Sequence, residues 1–180
     1  MSRPQRIFLT GDPGSGKTTV VKKAAELLTA RGLKVGGMMS GEIREKGNRR
    51  GFGIEDYMTH AEGVLARVGA FDGPHVGKYT VNLIDLDFIG AGAIQRSTAT
   101  ADVVLVDEIG PMELHSNQFI ESVKAALGSQ KHVVATIHKR TKHPLVVAMK
   151  SNPEHSLVEV TFENRDHLPS EIVKAITRDK

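Results

Sequence analysis

A chain of 180 residues can bury a core unaided, and with no cysteine it excludes a disulfide framework, a zinc–thiolate site and a thiol nucleophile. Twenty-four Lys and Arg against 21 Asp and Glu leave a formal charge of +3, too mild to argue by itself for nucleic acid, and 4% aromatics with no Trp give few platforms for base stacking. No apolar run approaches the roughly 20 residues that cross a bilayer, and the run 7–9 is too short for a signal peptide. The expectation is one cytosolic domain over residues 1–180 with no membrane partner, nucleic acid staying open only through the mild positive charge.

In chain order, residues 6–10 (RIFLT) read as a short buried strand, and 16–31 as a helix with Val20, Val21, Ala24, Ala25, Leu27 and Leu28 on or near one face. Gly32 stands where a left-handed cap is favoured. Residues 33–39 read as a second strand. In 41–53 charges flank Lys46-Gly47-Asn48, a polar hairpin tip, with 52–58 as the return strand. Residues 59–74 give no readable pattern. Residues 76–81 suggest another short strand, and Asn82 or Asp85 caps a helix to about residue 97. The run 101–106 suits a strand buried on both faces. A helix over 113–127, a buried strand over 132–137, a short helix over 144–149, a strand over 157–162 and a helix over 170–177 follow. Strands alternating with helices predict an α/β fold, a mainly parallel sheet with helices on both faces.

Gly11, Asp12, Pro13, Gly14, Ser15, Gly16, Lys17 and Thr18 match G-x-x-x-x-G-K-[ST] at every fixed position, between a strand and an amphipathic helix. Glycines let backbone N–H groups turn inward around a phosphate, and the helix N-terminus adds unpaired N–H groups and partial positive charge. A plain glycine-rich turn is the alternative. A lysine in the first helical turn argues against it, because a cation there opposes the macrodipole unless an anion is bound. Lys17 reaches for the β- and γ-phosphates, Thr18 offers its hydroxyl to Mg²⁺, and Thr19 completes the nucleotide-binding stretch.

Asp107 and Glu108 emerge from the apolar run 103–106, at the sheet edge where open α/β folds bind ligands. Asp107 suits the Mg²⁺ shell; Glu108 suits polarising an attacking water. Paired acids favour the P-loop group that has an extra strand between the two motif strands, and residues 132–137 supply one. Thr136 and His138, at that strand's end, are candidates to sense the γ-phosphate or simply to bond loop backbone. Glu42, Arg44, Arg49 and Arg50 crowd the hairpin. Arg44 is a candidate for phosphate contact or transition-state stabilisation, as are Arg140 and Arg165. The eight histidines show no metal-ligand spacing.

GDPGSGKTT, GEIREKGNRRGFGIEDY, GKYTVNL, VVLVDEIGPMEL and FENRDHLPSEI, in this order, resemble the thermophile-type nucleoside-triphosphatase family, also called the cancer-related nucleoside-triphosphatase family, over nearly the whole chain. The resemblance implies a RecA-like P-loop domain and Mg²⁺-dependent hydrolysis of ATP, GTP and other triphosphates with little base preference. It implies Gly11 to Thr18 as phosphate loop and Asp107-Glu108 as the acidic pair. The family segment after that pair often reads I-G-K-M-E-L; Pro111 stands here at the lysine position, and any role of that lysine is lacking.

The expected reaction is NTP + H₂O → NDP + phosphate, catalysed by Lys17 and Glu108. A small-molecule or nucleotide kinase with an acceptor site in 59–74, and a nucleotide-dependent switch or motor subunit acting on nucleic acid, are the alternatives. Oligomeric state, cellular substrate and any stimulating partner leave no mark in the sequence.

Overall fold

The computed structural model describes residues 3–178. In chain order it contains β1 (Arg6–Thr10), α1 (Lys17–Ala30), β2 (Val35–Glu45), β3 (Asn48–Asp56), β4 (Glu62–Arg67), β5 (His75–Val76) and β6 (Tyr79–Val81). Next come α2 (Leu83–Asp85), a π-helical turn Leu86–Ala91, α3 (Gly92–Thr100) and β7 (Val103–Ile109). A 3₁₀ turn Glu113–His115, α4 (Asn117–Gly128), β8 (His132–Ile137), α5 (Pro144–Ser151), β9 (Ser156–Glu159) and α6 (Leu168–Thr177) complete it.

The strands form one sheet in the order β5-β6-β4-β3-β2-β7-β8-β1-β9. Strands β2, β7, β8, β1 and β9 run parallel, and they carry the phosphate loop and the acidic pair. β8 lies between β1 and β7, so the strand expected between the two motif strands is present. The other four strands join antiparallel, extending the sheet beyond the parallel core.

Period-2 alternation splits each central strand between two apolar layers. Ile7, Leu9, Val103, Leu105 and Val134 pack under α1 and α6. Phe8, Val104, Val106, Val133 and Ala135 face the other way, against the layer built by α3, α4 and α5 through Ile94, Phe119, Val123, Val146 and Met149. Phe8 and Phe119 are fully buried, and truncating either to Ala should cost about 3–5 kcal/mol.

Strand β2 explains how the extension reaches the site. Its first half, from Val35 to Met38, pairs with β7; from Met38 to Glu45 it pairs with β3 and runs on past β7. The β2–β3 hairpin therefore overhangs the carboxyl edge of the parallel strands. Its tip falls at Lys46-Gly47, and Lys46 itself takes a left-handed backbone (φ 49°).

Three expectations shift. The unreadable stretch contains β4, whose Leu65 and Ala66 are buried. The helix expected from Glu113 starts at Asn117, because the Ser116 hydroxyl caps it by accepting the Phe119 N–H at 2.9 Å. The last strand stops at Glu159, and Phe162 lies in the following turns. Among the described residues no helix is long and apolar enough to cross a membrane.

Candidate active site

The loop between β1 and α1 owes its path to glycines. Gly14 (φ +78°) and Gly16 (φ +104°) take left-handed backbone. A Cβ at Gly11 would lie 2.8 Å from both the Val160 carbonyl and Ser15 Oγ, so only glycine fits there. Helix α1 starts with no side-chain cap and no acid in its first turn, which suits its N-terminal N–H groups to an external anion. Lys17 Nζ donates to the carbonyls of Gly11 (2.9 Å) and Asp12 (3.2 Å), folding its charge back over the loop. Thr18 and Thr19 occupy the same first turn.

The acidic pair lies next to the end of β7, before Ile109, and is joined by a cis peptide. Asp107 is 2% exposed. Its Oδ1 accepts the Thr136 hydroxyl at 2.6 Å, and the Thr18 side chain lies near enough to favour the charged carboxylate. Oδ2 is buried with no hydrogen-bond partner among the described residues. Desolvation pushes the Asp107 pKa up, opposed by the hydroxyls of Thr136 and Thr18 and by the charges of Lys22 and Lys17. An incompletely paired buried carboxylate beside a hydroxyl is a hard-oxygen pair of the kind Mg²⁺ takes when phosphates and water complete its shell. No cluster of three or more His, Cys, Asp or Glu suited to a metal occurs among the described residues, and a two-ligand Mg²⁺ site needs none.

Glu108 turns to a different neighbourhood. Burial and the Asp107 charge raise its pKa to about 7 against the opposing pull of Lys17. Gly110 brings it together with Glu113: from the Cβ position on Gly110, Glu108 Oε1 lies at 2.8 Å and Glu113 Oε2 at 3.2 Å. Glu113 is 5% exposed, and burial, then repulsion from Glu108, raise its pKa to about 8. Glu113 is a site residue that sequence reasoning missed. Its only signal was a carboxylate five residues after the pair, at what read as a helix start.

A cleft of about 820 Å³ opens over these groups. Its floor is the phosphate loop with Asp107 and Glu108; its far wall is the antiparallel extension, through Glu42, Arg49, Phe52, Leu65 and Tyr79. Arg49, and not Arg44, faces the cleft from the hairpin, donating to the Tyr79 hydroxyl (3.0 Å) and to Glu42 (2.9 Å). Arg44 is exposed, bonded to Glu42 and the Gly47 carbonyl. The Thr136 hydroxyl is committed to Asp107. His138 lines the cleft with its pKa lowered by burial and then by Lys17, Lys150 and Arg140. Arg140 lines the cleft too, whereas Arg165 is not part of its lining and lies against Gly16. Asp12 pairs with Lys139 (3.2 Å), which also holds Glu159 (2.7 Å). Pro111 lines the cleft as well.

The NTPase family model matches residues 6–173. The chain is 49% identical over 173 residues to a nucleoside-triphosphatase THEP1 of Thermofilum pendens, covering 96% of this chain and 95% of that one. It is 45% identical to the nucleoside-triphosphatase THEP1 of Methanosarcina acetivorans, covering 96% and 97%. Among solved structures, THEP1 from Aquifex aeolicus superposes with a TM-score of 0.85 at 31% identity, covering 97% of this chain and all of that one. A human cancer-related nucleoside triphosphatase superposes at 0.82 and 32% identity, covering 98% and 99%. By sequence over almost its whole length and by the course of its backbone, this chain belongs to the NTPase family.

Proposed function

We propose that the chain hydrolyses nucleoside triphosphates to the diphosphate and phosphate with Mg²⁺ and low base selectivity, through Lys17, Thr18, Asp107 and Glu108. Hydrolysis of the triphosphate is the activity of the family. The observation that carries the residue assignment is the buried Asp107 carboxylate, held by the Thr136 hydroxyl near Thr18 of the phosphate loop, with one oxygen unpaired among the described residues. Thr18 and Asp107 would hold Mg²⁺, which when bound would neutralise charge on the β- and γ-oxygens.

The chain's own groups then have separable tasks. The loop N–H groups and Lys17 hold the β- and γ-phosphates. Glu108, as carboxylate, accepts a proton from a water placed in line with the γ-phosphorus. The new P–O bond forms at that water, the bond to the β-oxygen breaks, and the diphosphate leaves with the bridging oxygen. Positioning and charge stabilisation supply the catalysis.

The cleft's spare volume beside Phe52, Leu65 and Tyr79 is the one observation favouring a kinase, with an acceptor hydroxyl replacing water. Two acids away from the pair that could act on an acceptor hydroxyl are engaged elsewhere: Asp56 bonds Arg96 at 2.6 Å, and Asp85 accepts the Val64 N–H at 2.8 Å. The test is phosphate release from ATP, GTP, CTP and UTP by purified protein with no acceptor, with and without Mg²⁺. Release with all four, with kcat/KM values spread over no more than about a hundredfold (roughly 2.8 kcal/mol), and its loss on chelation are expected. A thousandfold preference for one base or no release without an added acceptor would reject the proposal.

A further inference from the structure

The phosphate loop accounts for the triphosphate and leaves the nucleoside end unplaced. The acidic pair sits on β7, two positions from β1 on the β8 side; β9 flanks β1 on the other side. A triphosphate whose γ end points at Glu108 therefore carries its nucleoside across the start of α1, towards the segment after β9.

That segment is fastened to the end of β1, where the loop begins. Val160 N–H donates to the Thr10 carbonyl at 2.7 Å. Asn164 ties it internally: Oδ1 accepts the Thr161 N–H and Nδ2 donates to the Glu159 carbonyl, both at 2.8 Å. Arg165 N–H donates to the Thr161 carbonyl at 3.1 Å. The braced turn lays Arg165 against the phosphate loop, its Cδ 3.3 Å from the Cβ position on Gly16. It also leaves Phe162 68% exposed, with the Arg165 guanidinium 4.6 Å from the ring centroid. A large aromatic ring left out of both apolar layers, stacked with a planar cation and anchored to the phosphate loop, is a ready platform for a flat ligand.

We propose that Phe162 and Arg165 form the base-stacking subsite for the bound nucleoside triphosphate, a proposal that rests on the phosphate-loop reading above. Every base has a π face, so stacking on a ring and a guanidinium accepts purines and pyrimidines alike. The platform offers a physical source for low base selectivity: affinity for the nucleoside without hydrogen-bond reading of its edge.

The test uses Phe162→Ala and Phe162→Tyr in the full chain, with Mg-tripolyphosphate as a competitive inhibitor that carries phosphates and no base. Phe162→Ala is expected to raise KM for all four nucleotides by roughly tenfold to a hundredfold, with kcat affected less and the tripolyphosphate Ki unchanged. Phe162→Tyr is expected to keep KM near that of the parent chain. Unchanged nucleotide KM values in Phe162→Ala would overturn the subsite. So would a parallel rise of KM and tripolyphosphate Ki, which would mean that the turn acts on the phosphate loop. A separate outcome marks failure of the phosphate-loop reading: binding of Mg-tripolyphosphate, measured by calorimetry, left intact by Lys17→Ala.

Discussion

The Thr136 hydroxyl donates to Asp107 Oδ1 at 2.6 Å, from the strand that lies between the two motif strands. The bond orients the carboxylate and favours its charged form in a site where burial works the other way. It also leaves Oδ2 as the oxygen with no partner among the described residues. Strand β8 thus serves the site through one hydroxyl as well as through its backbone.

Removing that donor should loosen the metal site while the chemistry stays in place. Thr136→Val keeps the β-branched shape and deletes the hydrogen bond. The Mg²⁺ concentration for half-maximal hydrolysis is expected to rise about tenfold, the scale of a hydrogen bond to a charged group, with kcat at saturating Mg²⁺ changed much less. Thr136→Ser should restore the original Mg²⁺ dependence. A Mg²⁺ titration of the three proteins decides; identical midpoints would dissociate Thr136 from the metal.

Lys17→Ala removes the ammonium that the Gly11 and Asp12 carbonyls hold over the loop. Hydrolysis is expected to fall to background with the melting temperature near that of the parent chain, because the side chain fills no part of either apolar layer. Turnover close to the parent rate, measured beside a thermal melt, would refute the phosphate-loop assignment.

Asp107 and Glu108 should separate by pH and by binding. Glu108 acts as carboxylate, and its pKa near 7 predicts kcat/KM rising with pH up to about 7 and levelling above it. Glu108→Gln is expected to lower kcat by roughly 10²- to 10⁴-fold, to abolish that pH step, and to keep or tighten nucleotide binding by removing a negative charge near the γ-phosphate. Asp107→Asn should instead weaken Mg²⁺-dependent binding. Calorimetry beside single-turnover rates distinguishes them, and a Glu108→Gln protein that lost binding yet kept its chemical rate would reverse the two roles.

The phosphate loop and the acidic pair were legible because phosphate chemistry demands particular residue types at close spacing, next to an apolar strand. The hairpin tip at Lys46-Gly47 was legible from charge flanking a glycine. Strand β4 was not, because only Leu65 and Ala66 of its six residues are buried, and what buries them lies on other strands. Which arginine faces the cleft was hidden too. Arg44 and Arg49 are register partners beside a shift at Ile43/Arg44, and one residue of slip exchanges the faces of a strand. The pairing of Glu108 with Glu113 depends on the turn at Gly110 and Pro111, a three-dimensional fact with no periodic signature. Phe162 read as the end of a strand and stands instead on a braced turn beside the phosphate loop.

Glu113 gives the prediction that is independent of nucleotide. Its carboxyl is buried, and its pKa of about 8 lies above the ordinary carboxylate value of 4.5. The folded chain therefore holds a proton that the unfolded chain releases between about pH 4.5 and 8. Stability tied to this group is fully present below the lower value and is lost as pH rises towards the upper one. Glu113→Gln fixes a neutral side chain of the same size at the same buried place. It should match the parent chain near pH 4.5 and exceed it progressively above. By pH 8 the gain should reach about 2 kcal/mol, a discounted reading of the linkage, equivalent to a melting temperature higher by roughly 4–8 °C for a chain of this size. Thermal melts of both proteins at several pH values between 4.5 and 8 measure it. A difference in melting temperature that stayed constant across that range would mean that Glu113 ionises in the folded protein as it does in water, and that the Gly110 turn holds it by shape alone.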